Sequence, residues 1–110
     1  MRLQDIDPLI ASLGLPYAYY EFNKTAQAPP YIVYYSPGRD DLYADNENYQ
    51  HILELDIELY TQTKRWDIES SIDEKLKTAG LTYAKTEAKI ESDGLFQILY
   101  ETEVLINAQD

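Results

Sequence analysis

Gln50-His51-Ile52-Leu53-Glu54-Leu55-Asp56-Ile57-Glu58-Leu59-Tyr60-Thr61 is the stretch on which the fold turns. Leu53, Leu55, Ile57 and Leu59 alternate with Glu54, Asp56, Glu58 and Tyr60, the period of two that sends each set to one face of a β-strand. A half-buried strand with an acidic outer face is expected from about Gln50 to Thr61. Its carboxylates would stand about 7 Å apart along that face, from the rise per residue. They repel one another unless cations or a partner's Lys and Arg lie nearby. Glu54, Asp56 and Glu58 are therefore candidates for a face that lines an aqueous space or meets a basic partner.

Upstream, Ile6, Leu9, Ile10 and Leu13 fall at helical spacing, with Asp7 before Pro8 as N-cap and first-turn pair and Gly14 as terminator. Pro16 bars continuation. Tyr17 to Phe22 then reads as a strand through its aromatic content, broken by the polar segment Asn23 to Gln27. Pro29-Pro30 leads into a second strand, Tyr31 to Ser36, and the short separation predicts an antiparallel pair. Pro37-Gly38 closes that strand, and the connection to about Tyr49 is long enough to be a projecting functional loop. Within it, Asp45-x-Glu47 lacks the further acids and glycine of a calcium loop and reads as turn chemistry.

Downstream, Asp67 is placed to cap a second helix with the stripe Ile68, Ile72, Leu76 and Ala79. Lys75 and Lys77 lie near its end, as the helix dipole favours, and Gly80 stops it. Two strands follow, about Leu81 to Glu91 and Leu95 to Ile106, joined by the hairpin signal Ser92-Asp93-Gly94. Tyr83, Lys85, Glu87, Lys89 and Glu91 share one side of the first, Ala84, Ala88 and Ile90 the other. In the second, Phe96, Ile98, Tyr100, Val104 and Ile106 alternate with Gln97, Glu101 and Glu103. The expected order is α-β-β-β-α-β-β: an α+β domain over residues 1–110, with a mainly antiparallel mixed sheet of about five strands packed against two helices.

The 110 residues suit one core. No apolar run approaches the roughly 20 residues of a membrane span. Met1-Arg2-Leu3-Gln4-Asp5 lacks the apolar segment of a secretory signal, so residence in the cytoplasm is expected. With no cysteine, disulfides and thiolate metal sites are excluded. Nine basic against twenty acidic residues give a net charge of −11, which repels phosphate and anionic lipid; neither direct nucleic-acid binding nor membrane binding is expected. Asp40, Asp41, Asp45, Glu47, Glu54, Asp56 and Glu58 follow one another with no Lys or Arg between them.

Eleven tyrosines are present, and Tyr17, Tyr19, Tyr20, Tyr31, Tyr34 and Tyr35 crowd the first two strands. Adjacent strand residues point to opposite faces, so Tyr19-Tyr20 and Tyr34-Tyr35 cannot all enter one core. Tyrosine joins a large contact area to a hydroxyl that tolerates a wet rim. Tyr19, Tyr20, Tyr31, Tyr34, Tyr35, Tyr43, Tyr49 and Trp66 are thus candidate subunit or partner contacts; cross-strand pairs that only stabilise the hairpin are the other reading. Trp66 could also staple the first turn of the second helix. His51 is the only histidine, which leaves no His pair for a metal or proton relay. No catalytic, cofactor or metal residue is assigned, and an enzyme is not expected. Two readings compete with assembly: an acidic DNA mimic that inhibits a DNA-binding protein, and a Mg²⁺ nuclease using Glu54, Asp56 or Glu58.

The line from Leu15-Pro16 through Tyr19-Tyr20, Pro29-Pro30-Tyr31-Ile32-Val33-Tyr34-Tyr35, Ala44-Asp45-Asn46, Glu54-Leu55-Asp56-Ile57-Glu58-Leu59-Tyr60 and Ala79-Gly80 resembles the small tail-terminator or tail-completion proteins of long-tailed bacteriophages and prophages. The resemblance implies a ring, commonly a hexamer, at the head-proximal end of the tail tube. Such a ring ends tube growth and joins tail to head. Its implied partners are other copies of the chain, the major tail tube protein and the head connector or stopper protein. The implied location is the bacterial cytoplasm during assembly and then the virion. Ring closure can depend on the tail, leaving a monomer in dilute solution. Carboxylates facing the lumen would keep passing DNA from sticking.

Overall fold

The computed structural model describes residues 2–22, 27–44 and 47–107, with side chains for all of these except 39–44, 47–51 and 107. A 3₁₀ turn, Leu3–Asp5, leads into α1 (Ile6–Ala11). There follow β1 (Tyr17–Tyr19), β2 (Tyr31–Tyr35), β3 (Arg39–Ala44), β4 (Glu47–Thr61), α2 (Trp66–Thr78), β5 (Tyr83–Ile90) and β6 (Leu95–Asn107). The sheet runs β1-β2-β4-β6-β5, with β3 added on β4. Both helices cover the same face of this mixed sheet, so the expected α+β class holds.

β4 sits in the middle because its alternation works as read. Leu55, Ile57 and Leu59 are fully buried, and they meet Thr102, Tyr100 and Ile98 of β6 in register. Ile32 and Tyr34 of β2 join them, as do Ile6 and Ile10 of α1 and Ile72 and Leu76 of α2. Burying each large aliphatic chain contributes about 1.5–3 kcal/mol, and this layer is the source of most of the stability.

Four expectations are corrected. First, β1 and β2 pair in parallel, Tyr17 with Ile32 and Tyr19 with Tyr34. Tyr20 adopts φ 71°, which turns the chain out of the strand after Tyr19. The connection over 20–30 is about the dozen residues that bring a chain back to its starting end. β1 is therefore shorter than Tyr17 to Phe22, and no antiparallel hairpin forms.

Second, the long loop is largely strand. β3 pairs antiparallel with β4, from Arg39 opposite Leu53 to Ala44 opposite Glu47, with a bulge between Leu42 and Tyr43. β2 lies along the same edge of β4, from Tyr31 opposite Tyr60 to Tyr35 opposite Asp56. Between them the Gly38 carbonyl accepts the Glu54 N–H at 3.0 Å. Arg-Asp-Asp-Leu-Tyr-Ala carries no clean alternation, and its strand state comes from this pairing. The Asp45-Asn46 turn lies outside the described residues.

Third, Asp7 is not an N-cap but sits within the first turn of α1. Fourth, α2 begins at Trp66, with Arg65 in the cap position and Asp67 in the first turn. In addition, β5 turns its charged side, not its alanine side, toward α2. Tyr83 donates to Asp73 at 2.7 Å and Lys85 donates to the same carboxylate at 3.3 Å, while Ala84 and Ala88 are exposed on the open face.

Candidate functional site

The tyrosines divide into two sets. Tyr17 and Tyr34 donate to the two oxygens of Asp7, at 2.9 and 2.7 Å. This ties the first turn of α1 to the paired strands. Tyr34 is buried in the protomer, and burial followed by its bond to Asp7 drives its pKa far above that of free tyrosine. Its ring is consumed by the protomer's own core, which corrects its selection as a surface contact. Tyr19 packs edge-on against it at 5.2 Å yet remains 56% exposed, and Tyr20 is 68% exposed.

On the open face of the sheet, Tyr31 stacks on Tyr60 at 5.0 Å, Phe22 meets Tyr31 at 5.5 Å, and Tyr20 leans on Tyr35 at 5.5 Å. Tyr31 and Tyr35 are half-buried. Cross-strand pairing and surface exposure therefore coexist in one aromatic belt. The side chains of Tyr43 and Tyr49 lie outside the described residues.

Trp66 is 71% exposed, with the Lys64 ammonium 4.3 Å from its ring centroid. It projects outward, so the staple expected on α2 does not form.

Glu54, Asp56 and Glu58 share the open face as read. Strand register adds two carboxylates that sequence reasoning left out of the site: Glu103 lies opposite Glu54, and Glu101 opposite Asp56. These line a shallow concavity of about 360 Å³ with Pro37 and Thr102. Like charges directly opposite one another are destabilising. Glu58 differs: it accepts from Tyr60 at 2.9 Å and from Tyr35 at 3.4 Å. Among the described residues no three His, Cys, Asp or Glu side chains come together closely enough to hold a metal ion. The strand rise spreads these acids into a charged surface instead of gathering them around a point.

A second polar centre was not foreseen. Glu69 of α2 is only 2% exposed and is held between Lys64 at 2.7 Å and Lys85 at 3.1 Å. Lys64 also reaches Glu87, and Lys85 reaches Asp73. This network fastens α2 to β5 where an apolar contact is the commoner solution. The only signal in the sequence was that Glu69, Ile72, Asp73 and Leu76 share one helical stripe.

No protein-family model matches the chain, and no curated protein matches it. In three dimensions it is similar to a chain of a solved structure described as "Virion of native gene transfer agent (GTA) particle". The two share 12% sequence identity over 96% of this chain and 89% of that chain, with a TM-score of 0.65. At that identity the likeness is one of fold.

Proposed function

We propose that this chain is a structural component of a phage-like particle, not an enzyme, and that it forms a ring at the head-proximal end of the tail tube, where it ends tube growth and joins tail to head. The observation that carries the reading is the shared fold, over nearly the whole of both chains, with a protein of a virion particle. The tail-terminator resemblance of the sequence narrows the position within such a particle. In this reading the chain contacts its own copies, commonly six to a ring, and on either side the major tail tube protein and the head connector. It is made in the bacterial cytoplasm and ends in the virion, and it needs no cofactor.

The open sheet face suits the lumen. Glu54, Asp56, Glu58, Glu101 and Glu103 have no Lys or Arg bonded to them among the described residues. A ring of such faces repels DNA phosphates and keeps the passage clear without holding the DNA. The cost of the cross-strand repulsion is then retained for a transport role.

Deleting the gene from the prophage that carries it tests the reading. Tails of abnormal length, or tails unjoined to heads, are expected; normal virions would refute it. Recovery of DNA-binding enzymes in a pull-down, with virions unaffected, would favour the DNA-mimic reading instead.

A further inference from the structure

Register arranges the side chains of the open sheet face in rows. Across β4 and β6 the rows run Ile52 with Leu105, Glu54 with Glu103, Asp56 with Glu101, and Glu58 with Leu99. The two middle rows form a block of four carboxylates, bounded at either end by aliphatic residues. Leu105 is 49% exposed, and Ile52 and Leu99 are half-buried. A surface that only repels phosphate gains nothing from this frame. The stems of Lys and Arg, by contrast, pack on apolar residues while their charged heads reach the adjoining acids.

Among the described residues no Lys or Arg is bonded to Glu54, Asp56, Glu101 or Glu103. Lys85 and Lys89 of β5 sit over Tyr100 and Phe96, on the face that bears the helices. The space above the acids is open. Toward β5, Ala84 and Thr86 lie opposite Glu101 and Leu99; both are exposed and too short to cover the carboxylates. Toward β2, Tyr35 stands opposite Asp56, and Pro37 borders the concavity of about 360 Å³. An occupant therefore has room along the strand direction. Successive acids on each strand are about 7 Å apart, which is also the spacing of alternate residues in an extended chain.

We propose that this face docks an extended, Lys- or Arg-bearing segment of a partner protein, with cations at alternate positions over the Glu54–Glu103 and Asp56–Glu101 rows. Charge complementarity selects the occupant. A cation over each row relieves a like-charged cross-strand pair, which is destabilising while it stands bare. Among the described residues no three acids come close enough to hold a metal ion, which points to cations carried at a fixed spacing. The aliphatic ends of the block then receive the stems of those side chains. This inference deepens the ring reading and rests on it. Within the lumen, segment and DNA use the passage at different times, and the bared acids turn phosphate away.

The probe is a capped octapeptide of alternating lysine and alanine, titrated at low salt into the isotope-labelled full chain and followed by NMR. Saturable binding is expected, with amide shifts centred on Glu54, Asp56, Glu101 and Glu103. A double variant, Glu101→Gln with Glu103→Gln, should bind about tenfold more weakly, the loss of two partly exposed charge pairs. It stays folded because it relieves like-charge contacts. Leu105→Ser should also weaken binding, with the charge unchanged. Equal affinity for a peptide of the same composition with its lysines adjacent, or for spermine, would make the face a general attractor of polycations and overturn the proposal. Shifts centred elsewhere, a double variant that binds like the parent, or no binding at all would overturn it too. The ring reading survives each of these results, since the gene deletion judges it separately.

Discussion

Glu69 shows how much can rest on one side chain. Its carboxylate is buried between Lys64 and Lys85, and losing its charge removes two charge-assisted bonds from lysines that keep partial solvent access and their bonds to Glu87 and Asp73. Glu69→Gln is expected to lower unfolding free energy by about 2 kcal/mol, measured by chemical denaturation. A loss under half that size would mean that Glu87 and Asp73 satisfy the two lysines unaided. The tyrosines set a second expectation. Burial, reinforced by the charge of Glu58, pushes Tyr35 up to about 12. Burial also lifts Tyr60 to about 12, with the bond from Gln97 opposing and that to Glu58 assisting. Burial and the bond to Asp73 do the same for Tyr83. A free phenol titrates near 10.0, so the unfolded chain releases these protons first. Their contribution is complete below about pH 10 and is lost as pH rises through about 12. Ultraviolet titration should show a late-ionising group of tyrosines that disappears in denaturant.

Elements were legible wherever the pattern was local. The alternation over Leu53 to Tyr60 gave β4 its faces, and the stripe Ile68, Ile72, Leu76 with Gly80 gave α2. What stayed hidden depends on which strand lies next to which. The parallel direction of β1 turns on the backbone of Tyr20, and β3 exists through its pairing with β4. Glu101 and Glu103 were visible as outward-facing residues of β6, but only register sets them against Asp56 and Glu54. That pairing predicts an unusual gain. Glu101→Gln should raise stability by about 0.5 kcal/mol at low salt, by relieving a like-charge cross-strand pair. The gain should fade as the Debye length shrinks to about 3 Å in 1 M salt. Thermal melts of parent and variant at the two salt levels check it; an equal gain at both would assign the effect to packing.

At the scale of the whole molecule, one face of the sheet carries the hydrophobic core and both helices, while the other is an open field of carboxylates and tyrosines. A net charge of −11 opposes close association of copies in dilute solution, so the proposed ring requires short-range contacts that supply the attraction locally. Under the proposed function, assembly is then favoured where other particle components concentrate the subunits, as at the end of a growing tube. Electron microscopy of isolated tails bearing a label on this chain tests the account most directly. Label confined to a single ring at the head-proximal end is the predicted result; label spread along the tube, at the distal tip, or absent from tails would contradict it.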